Sequence, residues 1–172
     1  SGSTGMPKGT RHLHGSAMAT AHLYGQGVLG FTESAVVFSA AKIFFAYGLG
    51  NALSFPMSVG ATTVLLPDRP TPASVGHILS TYHPTVFCGA PTLFGAMLAA
   101  PGGLSKGAGS NRLRLVSSAG EALPEDIGNR FRVTLWLKQV SATALDQTEQ
   151  AILATLSDGT GRVTSEVAKV IG

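Results

Sequence analysis

Ala61-Thr62-Thr63-Val64-Leu65-Leu66, a Pro67-Asp68 stop, a helical stretch over 74–82 and then Thr85-Val86-Phe87-Cys88 decide the fold class of this 172-residue chain. Two short apolar runs flank a segment of helical length, and strand–helix–strand units of this size make neighbouring strands parallel. The alternation extends both ways. Upstream, residues 13–29 read as a helix ended by Gly25, Gly27 and Gly30, Ala35-Val36-Val37-Phe38-Ser39 as a strand, and residues 51–59 as a helix. Downstream, residues 91–99 form a helix with Pro91 in its first turn, where a missing N–H is tolerated. Residues 101–111, dense in Gly and Ser, read as a surface loop, 114–117 as a strand and 124–131 as a short helix. The pattern predicts an α/β fold with a mainly parallel sheet flanked by helices, plus a helical C-terminal tail.

Composition narrows the function classes. The chain is 44% apolar, enough to fill a core, only 12% charged, and holds 22 glycines, so it is rich in loops. The net charge of +3 is small and its Lys and Arg are scattered, so the basic balance does not argue for nucleic acid. A single cysteine, Cys88, excludes an internal disulfide and fits a reducing, cytoplasmic setting. Its apolar neighbours Val86 and Phe87 favour a buried small residue over a nucleophile. No apolar run reaches membrane-spanning length, and no signal peptide is recognisable.

The first nine residues carry the chemistry: Ser1-Gly2-Ser3-Thr4-Gly5-Met6-Pro7-Lys8-Gly9. Glycines let a backbone approach a ligand closely, and hydroxyls, amides and one ammonium together suit a phosphate. The spacing is not that of the Walker loop, in which Gly, four residues and then Gly-Lys-Ser/Thr are required. A flexible Ser/Gly linker is the plain compositional alternative; the fixed Pro7-Lys8-Gly9 ending argues against it.

This loop resembles the Ser/Thr-Gly-Ser/Thr-Thr-Gly-x-Pro-Lys-Gly signature of the adenylate-forming (AMP-binding) enzymes, and three further blocks extend the resemblance. Lys42-Ile43-Phe44-Phe45-Ala46-Tyr47-Gly48-Leu49-Gly50-Asn51 is similar to the aromatic-rich acid-binding motif in its benzoate-CoA ligase form. Core packing is the alternative for this stretch. Val86-Phe87-Cys88-Gly89-Ala90-Pro91-Thr92 resembles a segment that edges the acyl pocket, although any strand–turn–helix junction needs Gly and Pro. Ser117-Ser118-Ala119-Gly120-Glu121-Ala122-Leu123-Pro124 resembles the turn that packs against adenine on the aryl-CoA ligase side of the family. Residues 1–132 carry the resemblance, to benzoate- and 4-hydroxybenzoate-CoA ligases.

The resemblance implies an ATP-dependent aryl-CoA ligase, in which an aromatic carboxylate attacks the α-phosphate and coenzyme A then displaces AMP. It implies phosphate binding by Ser1, Gly2, Ser3, Thr4, Gly5 and Lys8, with Lys8 as the catalytic cation near the departing pyrophosphate. Adenine would meet Ser118, Ala119, Gly120 and Glu121. An aromatic acid would lie against Phe45, Ala46, Tyr47 and Gly48, a flat apolar lining. ATP, Mg2+ and coenzyme A are the implied cofactors and co-substrates. No residue of this chain is assigned as a metal ligand, because the family's Gly-x-Thr-Glu turn is missing. His12 and His14 match a Lys-Gly-x-x-His-x-His stretch of the family, and without acidic or Cys partners they read as structural rather than metal-binding.

After Arg132 the resemblance stops. Thr148-Glu149 lies within a helical stretch and is not the missing turn. The ribose-binding Asp, the hinge and the C-terminal catalytic Lys are absent, as are strands that would precede Ser1. The expectation is an incomplete ligase, inactive alone, whose uncovered sheet edges favour self-association. The division expected is an AMP-binding fragment over 1–132 and an unrelated or frameshifted tail over 133–172. Within the tail, Ala151, Ile152, Leu153 and Leu156, then a 158–161 break and a helix capped by Thr164, are compatible with half of a helix-turn-helix. The alternative function is therefore a non-catalytic binding or regulatory module. Partners expected are a small aromatic carboxylate, no membrane and no nucleic acid.

Overall fold

The computed structural model describes Met6, residues 9–101 and residues 110–136, the last five as backbone only. Residues 1–5 and Lys8 of the opening loop, most of the 101–111 loop and the tail helices expected after 136 lie outside the described residues.

Four strands form one parallel sheet: β1 (Val36–Ser39), β2 (Thr62–Val64), β3 (Val86–Gly89) and β4 (Leu115–Ser118), in the order β2-β1-β3-β4. Val37 pairs with Thr63 on one side and with Val86 on the other, and Phe87 pairs with Val116. The central strands are apolar without alternation because both faces are covered. Successive side chains still go to opposite faces. Val37, Val86 and Cys88 join Ala21, Leu29, Phe31 and Phe55 in one cluster. Phe38 and Phe87 join Val75, Ile78, Leu79, Phe94, Met97 and Phe131 in the other. In that second layer the rings of Phe38 and Phe87 stack at 5.4 Å, and those of Phe94 and Phe131 at 4.3 Å.

The helices follow from this division. On the first face lie α1 (Ser16–Thr20), which runs on as a π-helical turn over Ala21–Gln26, and a second broken helix. The latter comprises α2 (Ala46–Gly48), a π-helical segment Leu49–Ser54 and α3 (Phe55–Ser58). On the other face lie α4 (Pro72–Tyr82), α5 (Pro91–Ala99) and α6 (Glu125–Trp136). Buried Val75, Ile78 and Leu79 on α4 recur at the i, i+3, i+4 spacing of a one-sided helix.

Several boundaries differ from the sequence reading: the first helix covers residues 16–26 rather than 13–29, β2 covers Thr62–Val64 rather than 61–66, and β4 is shifted by one residue to Leu115–Ser118. The α4 helix starts at Pro72 because Thr71 caps it: Ser74 N–H donates to Thr71 Oγ1 at 3.1 Å and Thr71 N–H donates to Ser74 Oγ at 2.9 Å. The helix expected from residue 51 begins five residues earlier, at Ala46, and includes both glycines that read as a break. The short helix expected to end at 131 continues to Trp136.

Candidate functional site

In open parallel sheets ligands lie beyond the carboxyl ends of the strands, where connections leave neighbouring strands in opposite directions. Here that point falls between β1 and β3. From β1 the chain crosses to β2 on one side, while β3 and β4 lie on the other. Three strand ends meet there in register, Ser39 beside Cys88 and Cys88 beside Ser117.

The aromatic segment after β1 closes over this row. Phe45 is extended (φ −91°, ψ 145°) and α2 starts immediately after it. A Cβ on Gly48 would stand 2.0 Å from the Lys42 carbonyl oxygen, so only glycine allows the helix to sit this close to the preceding loop. The loop is itself tied down: the Lys42 ammonium donates to the carbonyls of Leu66 (2.6 Å), Pro67 (3.0 Å) and Asp68, all beyond β2. Tyr47 packs partly buried and its hydroxyl donates to Ser117 Oγ at 2.9 Å, joining the aromatic segment to β4. Burial pushes the Tyr47 phenol well above its ordinary range, and pushes the Cys88 thiol beneath it up to about 12, against a smaller opposing pull from Tyr47. Both groups are protonated at neutral pH, and Cys88 is not a nucleophile. The Phe44 and Phe45 rings meet tilted at 48°, with centroids 4.6 Å apart, and are 77% and 58% exposed.

The turn after β4 supplies the other wall. Gly120 has φ +96°, a conformation that favours glycine, and a Cβ there would meet nothing within 4 Å. The space above the turn is open. Glu121 anchors the turn to the first turn of α5: its Oε1 accepts from Thr92 N–H at 3.0 Å and from the Thr92 hydroxyl. These two donors, the hydroxyl first, hold the Glu121 carboxyl below its usual range. The Ser118 hydroxyl is buried without a partner among the described residues.

The structure thus gathers Phe45, Ala46, Tyr47 and Gly48 on one side of the strand ends and Ser118, Ala119, Gly120 and Glu121 on the other. Thr92 engages one oxygen of the Glu121 carboxylate, Oε1, and the side chain is otherwise exposed. The phosphate loop residues Ser1, Gly2, Ser3, Thr4, Gly5 and Lys8 lie outside the described residues. His12 and His14 are exposed before α1. No cluster of three His, Cys, Asp or Glu side chains suited to a metal occurs among the described residues. No helix among them is long and apolar enough to cross a membrane. Sequence reasoning quoted Ser117, Asn51, Thr92 and Lys42 within its blocks but gave them no role; all but Asn51 act on partners at least 24 residues away, and Asn51 bonds to Tyr47 four residues back.

The parallel sheet with helices on both faces is an α/β domain, and the chain belongs to the family of AMP-binding enzymes, whose model it matches over residues 1–169. Among its relatives, the benzoate–CoA ligase of Thauera aromatica is 56% identical over 132 residues, 77% of this chain and 25% of that protein. The crystal structure of a benzoate CoA ligase from Burkholderia xenovorans LB400 superposes with a TM-score of 0.69 at 50% identity, over 74% of this chain and 26% of that one. An anthranilate CoA ligase in complex with anthranoyl-AMP gives a TM-score of 0.72 at 39% identity, over 78% and 26% of the two chains. The chain spans about a quarter of the length of the relatives it matches.

Proposed function

We propose that the chain is the acid- and adenylate-binding part of an ATP-dependent aryl-CoA ligase, and that it does not complete the reaction by itself. One observation carries the reading: the Tyr47 segment and the Gly120 turn, 70 or more residues apart in sequence, face each other across the ends of β1, β3 and β4, joined by the Tyr47–Ser117 bond. Named relatives that act on benzoate or bind anthranoyl-AMP support the substrate class. The span of a quarter of their length supports the partial role.

The chemistry is acyl activation. A carboxylate oxygen bonds to the α-phosphorus of ATP as pyrophosphate leaves; the thiolate of coenzyme A then bonds to the acyl carbon as AMP leaves. In this reading Phe45, Ala46, Tyr47 and Gly48 line the ring of the acid. Ser118, Ala119, Gly120 and the backbone at Glu121 take the adenine, for which the open space over Gly120 and the unpartnered Ser118 hydroxyl are suited. Ser1, Gly2, Ser3, Thr4, Gly5 and Lys8 hold the phosphates, Lys8 offsetting the charge on pyrophosphate. Magnesium is assigned no ligand in this chain. The reading includes a cytoplasmic setting, supported by the single buried Cys88, and self-association through the outer strands. It also includes a boundary near 132 with a distinct tail over 133–172. The 132-residue alignment supports that boundary, and the family match running to 169 counts against it.

The test is titration of the isotopically labelled chain with 5′-O-(N-benzoylsulfamoyl)adenosine, a non-reacting mimic of benzoyl-AMP. Shifts concentrated at Tyr47 and Gly120, with no benzoyl-CoA formed from benzoate, ATP and coenzyme A, are expected. No shift at either residue would refute the reading.

A further inference from the structure

We propose that Ser117 is a positioning residue for the acid pocket: it holds the Tyr47 hydroxyl, so that Tyr47 offers a fixed ring, and no hydrogen-bond donor, to an aromatic carboxylate. The inference rests on the ligase reading above and goes beyond it in assigning Ser117 and in fixing how Tyr47 meets its ligand.

The Tyr47 side chain is held at its far end. Its Oη donates to Ser117 Oγ at 2.9 Å, and a phenol has one proton to donate. Ser117 lies on the outer strand β4 in register with Cys88 of β3, so the anchor is on a paired strand rather than a loop. The backbone at Tyr47 is fixed as well. Asn51, 2% exposed, donates from Nδ2 to the Tyr47 carbonyl at 2.9 Å. Its other side-chain polar atom, Oδ1, has no partner among the described residues. The unsatisfied acceptor is costly, and the one bond the buried amide makes offsets part of that cost. That bond is to Tyr47. On the other side Gly48 is pressed against the carbonyls of Lys42 and Ala41, leaving no room to shift. Phe44 and Phe45 have no such hold, and their rings touch each other.

The ligand chemistry follows. A Tyr47 hydroxyl whose one proton is given to Ser117 has no proton left for a ligand, so this side chain recognises an aromatic ring by shape. It selects unsubstituted or compact benzoates over bulky ones and has no proton to donate to a polar group on the ring at this contact.

A mutant cycle on the full chain separates the possibilities, using benzoate and 4-tert-butylbenzoate as probes and calorimetry as the assay. The cycle is built in a Tyr24→Phe background, which takes out the second hydroxyl that interacts with Ser117. There Ser117→Ala and Tyr47→Phe remove the same bond and are each expected to weaken benzoate about five- to tenfold, the range for one net hydrogen bond. The double variant is expected to lose no more than either single one. Ser117→Thr, which keeps a hydroxyl, is expected to restore binding, and Ser117→Ala to narrow the preference for benzoate over its bulky analogue. A second readout needs no ligand. The chain has three tyrosines, and in 13C-tyrosine spectra the Tyr47 hydroxyl proton should exchange far more slowly than that of exposed Tyr82, an effect lost in Ser117→Ala. Tyr47→Phe costing much more than Ser117→Ala would overturn the inference, because the hydroxyl would then serve the ligand. So would fast Tyr47 hydroxyl exchange in the parent chain. A slow-exchanging hydroxyl in a parent chain that binds no benzoate at millimolar concentration would instead overturn the ligase reading, and the pocket role with it.

Discussion

Gly48→Ala tests the geometry of the site most directly. The new Cβ would stand 2.0 Å from the Lys42 carbonyl oxygen, 2.5 Å from its carbon and 2.6 Å from the Ala41 carbonyl oxygen. All three are backbone atoms, so no rotamer change relieves the overlap. Comfortable contact is near ~3.5 Å, so α2 and the preceding loop must part by roughly 1.5 Å. Lys42 resists this through its bonds to the carbonyls beyond β2. Overpacking of this kind costs about 1–3 kcal/mol, and an overlap with backbone belongs at the upper end. For a chain of this size a loss of about 3 kcal/mol lowers Tm by roughly 6–12 °C. The matched control is Gly76→Ala, within α4, where a Cβ meets nothing within 4 Å. There alanine relieves backbone entropy and is expected to stabilise by about 0.5–1 kcal/mol. Thermal and urea unfolding followed by circular dichroism reads both. A Gly48→Ala chain that melts at or above the parent would refute the close approach of helix and loop.

Four further outcomes follow from the same structure. Phe87→Ala, at the centre of the ring stack, should cost about 3–5 kcal/mol in urea unfolding. The Cys88 thiol and Tyr47 phenol both titrate higher folded than unfolded, so their contribution is complete below pH 9. Stability should then fall as pH rises from about 9 towards 12, and Cys88 should resist a thiol reagent at pH 8 until the chain is unfolded. Glu121→Gln should loosen the 119–124 turn, seen as faster amide exchange there and at Thr92; a turn as protected as the parent's would show that the Thr92 bonds do not hold it. Sedimentation should show concentration-dependent association, reduced by Thr62→Lys on the outer strand β2; a monomer at all concentrations would count against the proposed self-association.

The strands were legible because burial on both faces makes them apolar throughout: Val36 to Phe38 and Val86 to Cys88 read as strands within one residue of their ends. The helix over Ala46 to Ser58 was legible only in its second half. Gly48 and Gly50 look like breakers in sequence, yet each is there for space: Gly48 against the Lys42 carbonyl, Gly50 against the Phe55 ring. A π-helical register also blurs the 3.6-residue period on which such readings depend. Of the site, the two walls could be named from their wording, but the bond that joins them could not. Ser117 looks like any strand-end serine until the sheet brings it to Tyr47, 70 residues away.

The parallel pairing of β1 with β3 sets a schedule for synthesis. Val37 finds Val86 only after 49 further residues have been made, and the antechamber between them, β2, sits on β1's other edge. At translation rates of roughly 5–20 residues per second, β1 waits about 2–10 s with its inner edge open. For that interval Val36, Val37 and Phe38 form a nascent apolar edge strand, the part of this chain where a ribosome-bound chaperone has most to shield.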